Sequence, residues 1–308
     1  TNTDSGIYIG AGTSNVIQNN HITSNGDAAC DDNININSGS GIVIQHNLIE
    51  NAASLGIDAA SSSGNLIISE NTITGSGQNG GNCGGGPENM GIELAGNNSQ
   101  ITNNVIHSNG GAGLATTGSG TGNLFSQNSF YANGTAGAAL GIDLNGDGVT
   151  LNDSGDVDTG SNSLINFPAI QNAFISAGNI VISGWSRPGA TLEFFLTDIN
   201  EGSAATGDNQ LGNTQDYGEG QIYIGSAVEG SGSDQDGTSS SYTDVDGNTD
   251  NTNRFQFSIS LPPGTILGET ITATATLSNS TSEFAPLMTL KVSTIITNRR
   301  ITYRVNPN

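Results

Sequence analysis

Basic residues are almost missing from this chain of 308 residues. It has six Lys and Arg against 28 Asp and Glu, for a net charge of −22, and none of the six precedes Arg187. Phosphate recognition needs clustered cations, so DNA and RNA are excluded as partners. Aromatics make up only 5% of residues, and there is one Trp. So few bulky side chains cannot fill a large conventional core. Such a composition folds only if small residues stack into a narrow, repeated one. There is no apolar run long enough to cross a bilayer as a helix, so membrane insertion is not expected. Cysteine is limited to Cys30 and Cys83, a count that suits one disulfide in an oxidising compartment. The chain starts at Thr1 with no leader, as a processed chain or a piece of a longer one would.

What is abundant is Gly, with 45 residues, together with Asn, Ser and Thr in register. Five segments share a pattern: Asn20-His21-Ile22, Asn47-Leu48-Ile49, Asn71-Thr72-Ile73, Asn104-Val105-Ile106 and Asn128-Ser129-Phe130. The Asn positions are 27, 24, 33 and 24 residues apart, and an apolar residue stands three places before each. A second column interleaves: Gly6-Ile7, Asn33-Ile34, Gly56-Ile57, Gly91-Ile92, Gly113-Leu114 and Gly141-Ile142. Short strands recurring at this period predict coils that pair in parallel about 4.8 Å apart. Their Ile columns would face inward, and the recurring Asn would turn the corner, its side-chain amide bonding to the Asn of the next coil. The pattern resembles the right-handed parallel β-helix repeats of secreted bacterial proteins, over roughly residues 1–146 and five or six coils. The longer periods carry insertions at 26–32 and 75–90, both on one side of the helix. A Cys30–Cys83 disulfide is expected to join them.

In the Gly-Ile column, the residue after Ile points outward: Tyr8, Asn35, Asp58, Glu93, Ala115 and Asp143. Asp58 and Glu93 are expected one rung apart. They could be a solvated face, a cation site or an acid–base pair. β-Helix pectin lyases generally use Arg or Lys near calcium, and residues 1–186 contain neither. Polygalacturonase-like hydrolases carry Gly-His-Gly and Arg-x-Lys motifs, and this chain has neither. His21, His46 and His107 sit in Asn-rich strands and read as exposed or turn residues. The chain is therefore expected to have no catalytic residues. Polysaccharide binding or cleavage on the acidic face is the alternative.

After the last coil, Asp143, Asn145, Asp147 and Thr150 follow the D-x-N-x-D-G spacing of calcium loops, with Asp153 and Asp156 just beyond. Ser154 stands where an EF-hand has Glu, and no flanking helices are evident. A second acidic group comprises Asp234, Asp236, Asp244, Asp246 and Asp250. Structural Ca2+ is expected, against the alternative of acidic Asx turns.

From about Ser163, period-2 apolar runs separated by Gly, Pro, Asn and Asp predict an antiparallel β-sandwich. Trp185, Phe194, Phe255 and Phe257 are candidate core anchors. The segments Leu192-Glu193-Phe194-Phe195, Tyr217-Gly218-Glu219-Gly220-Gln221 and Ser282-Glu283-Phe284 resemble the Ig-like module that follows β-helix repeats in large bacterial surface proteins. That resemblance implies a secreted or cell-surface adhesin setting and no particular ligand; Trp185 and Tyr217 are expected to pack in the core, with binding of a surface glycan as the alternative. Overall the chain is expected to be all-β: a β-helix (1–146), an acidic linker (147–162), a sandwich (163–290) and a basic C-terminal strand (291–308). In that last segment Ile301, Tyr303 and Val305 alternate with Arg300, Thr302 and Arg304. The alternation suits a strand that adds to an acidic neighbour, giving a homo-oligomer or fibre built through this strand and the β-helix ends.

Overall fold

The computed structural model describes residues 3–27, 30–79, 82–83, 86–198, 216–217, 219–243, 249–265 and 268–292. The chain is all-β. Its first part is a parallel β-solenoid of about five turns with three stacked faces. The first face has six strands, from Ile7–Ile9 through Ile34–Ile36, Ile57–Ala59, Ile92–Leu94 and Leu114–Thr116 to Ile142–Asp143. The second face runs from Val16–Gln18 to Leu124–Ser126, and the third from His21–Thr23 to Ser129–Tyr131, each with five strands.

Register follows the repeat. On the first face Ile7, Ile34, Ile57, Ile92, Leu114 and Ile142 stand in one column. Because every strand alternates faces, such columns enter a single narrow core with Ile44, Ile68, Ile73, Ile101, Ile106, Phe125 and Phe130. The glycines of the Gly-Ile column are needed for close approach. A Cβ on Gly91 would meet the Gly113 carbonyl oxygen at 2.5 Å and Ile106 Cγ2 at 2.9 Å.

The recurring Asn residues form the expected ladder. Asn20, Asn47, Asn71 and Asn104 each donate a side-chain N–H to Oδ1 of the Asn one coil on, ending at Asn128, over 2.9 to 3.1 Å. Each backbone N–H bonds the same oxygen at 2.9 Å. The Asn does not itself bend the chain, however. The corner is turned by the residue before it, since Asn19, His46, Glu70, Asn103 and Gln127 all have φ of 54 to 56°. The amide then satisfies the polar groups that the corner buries.

The second part has two sheets. One contains Ala169–Ser176, Asn179–Ser186, Ser239–Thr243 and Thr249–Ser260 in antiparallel pairs, with Lys291–Val292 parallel to Ala169–Ser176 at one edge. The other is antiparallel and contains Thr191–Asp198, Glu219–Val228, Thr270–Leu277 and Ser280–Thr281. Ile180, Ile182, Phe255 and Phe257 from the first sheet and Leu192, Phe194, Ile271 and Ala273 from the second form one core. Trp185 is 9% exposed; its Nε1 donates to Ser240 Oγ and the Arg254 guanidinium lies over its ring. Tyr217 is 1% exposed and packs on Phe167. Both aromatics are structural and present no ring to a glycan.

The second sheet closes the C-terminal end of the solenoid. Phe195 and Phe284 pack edge-on beside Phe130 and extend the coil core into the two-sheet unit. Three buried carboxylates take the place of a further rung. Glu193 accepts from Ser126 Oγ (2.6 Å) and Gln127 N (2.9 Å). Glu219 accepts from Asn133 Nδ2 (2.6 Å) and N (3.0 Å). Glu283 accepts from Leu144 N (2.8 Å) and Thr150 N (2.9 Å). Asn162 closes a third corner by bonding both the N–H and the carbonyl of Asn123. Among the described residues, the C-terminal coil end is thus covered by the chain's own second sheet.

Candidate functional site

The outward column of the first face reads, in register, Tyr8, Asn35, Asp58, Glu93, Ala115 and Asp143. Asp58 and Glu93 are direct cross-strand partners. They line a cleft of about 140 Å³ together with Cys30, Asp32, Asn35, Leu55 and Glu88. Asp32 and Glu88 come from the ends of the two inserted segments. The insertions therefore do emerge on one side, and they bring two further acids to the pair read from the strands.

The side chains are held by specific donors. Asn35 Nδ2 bridges Asp32 Oδ2 and Asp58 Oδ2 at 2.9 Å each, and Leu55 N donates to Asp32 Oδ1. Ser54 Oγ donates to Glu88, and Thr117 Oγ1 to Glu93. Neutral donors do not cancel the charge. Burial, then the Asp32 and Glu93 charges, push Asp58 up to about 7. Burial and the Glu93 charge lift Glu88 to about 7. Asp32 and Glu93 are also raised by burial, against their hydrogen bonds. At neutral pH the cleft thus holds a mixture of acid and carboxylate forms, a state able to give and take protons or to attract cations.

Three rungs from Asp58, Asp143 lines a second cleft of about 270 Å³, floored by Met90, Ala112 and Leu140. These three and Leu55 each precede the Gly of a Gly-Ile or Gly-Leu pair, and so form an apolar column beside the acidic one. Asp143 accepts from the backbone N–H of Asp147 and Gly148, and burial raises it to about 6. Asn145 Oδ1 accepts from Ser161 N, and Thr150 N donates to Glu283. The D-x-N-x-D-G residues are therefore drawn to different backbone partners.

Among the described residues, three carboxylates do converge: oxygens of Asp153, Asp156 and Asp158 lie within 4.8 Å of one another. Their loop is closed by Asn152, which bonds both the N–H and the carbonyl of Phe167, and by Asn166, whose N donates to Asp156. Arg187 approaches Asp156 at 3.5 Å. Burial, then Asp153 and Asp156, raise Asp158 to about 6. Such a set of oxygens suits a hard cation. Asp158, which completes the triad, was not among the expected ligands, although it follows Asp156 by two.

In the second acidic group, Asp236 pairs with Arg254 at 2.8 Å, and Asp234 Oδ1 accepts from Asp236 N and Gln256 N. The Thr238 hydroxyl and Arg254 hold Asp236 below the usual carboxylate range. Asp244, Asp246, Ile301, Tyr303, Val305, Arg300 and Arg304 lie outside the described residues, as do the side chains of Asp250 and Cys83, so neither the 244–250 loop nor the Cys30–Cys83 pairing is described. The histidines belong to other faces: His21 bonds Glu50, His46 lies 3.0 Å from Glu70, and His107 stacks on Tyr131.

The capping carboxylates Glu193, Glu219 and Glu283 were not foreseen. Part of the signal was available, because Asn25, Asn109 and Asn133 each stand five residues after a ladder Asn. They start a second ladder, in which Asn109 bonds Asn133 and Asn133 bonds Glu219.

Residues 1–90 match the sequence model of a family described as "Right handed beta helix region". The coils continue in the same register beyond that match, as far as Ile142–Asp143.

Proposed function

We propose that this chain is an extracellular structural and adhesive module, part of a surface adhesin or a subunit of a surface fibre. The observation that carries this reading is the joint between the two parts. Six hydrogen bonds from three buried Glu carboxylates, and a core continuous through Phe130, Phe284 and Phe195, fasten the coils to the two-sheet unit. A stiff rod needs such a joint, and an isolated catalytic scaffold does not. The absence of any Lys or Arg before Arg187 leaves the acidic face without the cation of lyase chemistry. An Ig-like unit in a secreted or cell-surface adhesin is the finer form of the reading. Small-angle scattering tests the joint: one rigid length is expected. Two bodies moving independently would overturn it.

Two details belong to the same reading. Asp153, Asp156 and Asp158 would hold a structural Ca2+ beside the joint. A Cys30–Cys83 disulfide would fasten the two inserted loops, and non-reducing peptide mapping that found both thiols free would remove it.

A second reading is supported by the four carboxylates around one cleft, two of them lifted to about 7. It makes that cleft a polysaccharide-binding or -cleaving site, with Asp58 and Glu93 as the acid–base pair. Release of reducing ends from neutral polysaccharides, lost in Asp58→Asn and Glu93→Gln, would establish it. No release from a broad panel would leave the structural reading alone.

A further inference from the structure

Charge is spread unevenly around the coils. Asp32, Asp58, Glu88 and Glu93 gather at the first face. Residues 10–18, 37–45, 60–69, 95–102 and 117–126 form the second face and the loops that lead into it, and they contain no Asp, Glu, Lys, Arg or His. The loops extend the flat stack of this flank. Thr13 bridges Ser40, Gly39–Ser40 pairs with Ser63–Gly64, and Gly64 bridges Asn97, all in parallel. At the border of the flank, Glu70 lies 3.0 Å from His46.

The outward side of the second face carries two columns in register. Val16, Val43, Ile67, Gln100 and Leu124 form one, and Gln18, Gln45, Ser69, Thr102 and Ser126 the other. Val16 is 55% exposed and Ile67 39%, while Val43 and Leu124 are half-buried. Single exposed apolar residues need no explanation, but a column of them on an uncharged face marks a contact surface. Gln45 Nε2 donates to Gln18 Oε1 at 2.9 Å, which ties the polar column together.

Charge also decides the occupant. A chain of net charge −22 repels its own copies wherever acids face each other. On this flank two copies meet with no apposed acids, and its amides and hydroxyls can pair across the contact without desolvating a charge. Five rungs at about 4.8 Å, with a strand and loop about 20 Å wide, give a face on the order of 500 Å². Two such faces bury about 1,000 Å², the lower bound for a specific interface.

The same charge sets the orientation. All but nine of the 28 acids lie beyond Ile142, so parallel copies would set two acidic C-terminal parts side by side. A twofold axis along the strand of Ile67 runs the coils antiparallel and keeps the strands aligned, as stacked sheets require. It places Ile67 against Ile67, and Val16 against Leu124 of the second copy.

We infer that two copies of this chain pair side by side through the uncharged flank, coils antiparallel, with Ile67 on the twofold axis. The contact is lateral and goes beyond the structural and adhesive reading, which stands whether or not this pair forms.

The test is sedimentation velocity of the full chain over a range of concentrations. A monomer–dimer equilibrium is expected, tightening as salt screens the acids. Ile67→Glu and Ile67→Lys each set two like charges on the axis, and each is expected to weaken the dimer by on the order of tenfold or more. An equimolar mixture of the two variants is expected to restore it, which separates a lost contact from a damaged fold. With Val16 replaced by photoreactive benzoylphenylalanine, in a mixture of light and heavy isotope-labelled chains, crosslinks are expected near residue 124 of the other isotope. A chain monomeric at every concentration overturns the inference, even if it binds dextran through Ile67. Dimers indifferent to both Ile67 variants, a mixture that stays monomeric, or crosslinks from position 16 to position 16 overturn it as well.

Discussion

Replacing Asn104 with Ala tests whether the Asn ladder carries the coil stack. Asn104 sits mid-ladder and is 1% exposed. Its Oδ1 accepts from Asn71 N (2.9 Å) and Asn71 Nδ2 (3.0 Å), and its Nδ2 donates to Ile68 O, Thr102 O and Asn128 Oδ1. Truncation leaves the Asn71 N–H with no acceptor and removes a donor from the Ile68 carbonyl, both inside the stack. Each group orphaned in this way costs about 1–3 kcal/mol. Asn71 Nδ2 keeps Ile44 O and Ser69 O, and Asn128 Oδ1 keeps Asn104 N, so these ends are spared. The two together cost about 2–6 kcal/mol. At roughly 2–4 °C per kcal/mol for a chain of this size, the melting midpoint should fall by about 4–24 °C in calorimetry. Gln100→Ala, on the exposed side of the adjacent strand, is the control and should stay within about 0.5 kcal/mol. An Asn104→Ala chain melting together with this control would refute the claim that the ladder bears the load.

The sign of the pH dependence follows from the raised carboxylates. Asp58 and Glu88 at about 7 and Asp143 at about 6 hold their protons in the folded chain where the unfolded chain has lost them. Their stabilising effect is full below about pH 4 and is lost as pH rises through about 7, so the melting temperature should be higher at pH 5.5 than at pH 8; Asp58→Asn should flatten this slope, and a melting temperature that climbed from pH 5.5 to 8 would contradict the assignment. Gly91→Ala forces a Cβ against the Gly113 carbonyl and should cost about 3 kcal/mol by denaturant titration, whereas Gly118→Ala, which meets nothing within 4 Å but has a φ of 74°, should cost less. Glu219→Ala removes the acceptor of Asn133 N and one of the two acceptors of Asn133 Nδ2, which keeps Ile106 O, and should expose the joint to protease before the coils unfold, so cleavage at the wild-type rate would argue against the cap. A chelator should lower the melting temperature if Asp153, Asp156 and Asp158 hold Ca2+, and Asp158→Asn should remove that response.

Much of the first part was legible because each coil repeats the same local problem. The Gly-Ile and Asn-x-Ile columns have one consistent register, so the inward Ile, the outward Asp58 and Glu93 and the Asn ladder could all be read from spacing. The corner was misplaced by one residue, since spacing cannot tell the residue that bends from the Asn that satisfies the bend. In the second part, period-2 runs announced strands, but pairing between strands far apart in sequence has no local signature.

What the sequence by itself determined is therefore the coil: its period, its narrow core and the acidity of its outward column, all nearest-neighbour properties of a repeat. What only the tertiary structure decided is how the coil ends and where charge gathers. Glu193, Glu219 and Glu283 are scattered over 91 positions, and only the folded second sheet brings them to the last coil as substitutes for its missing neighbour. Asp32 and Glu88 join Asp58 and Glu93 because the two insertions emerge over the same face. A period in the sequence fixes what lies one rung away, as it does for Asp58 and Glu93; the acids that the insertions add to that pair, and the cap on the last coil, are chosen by packing.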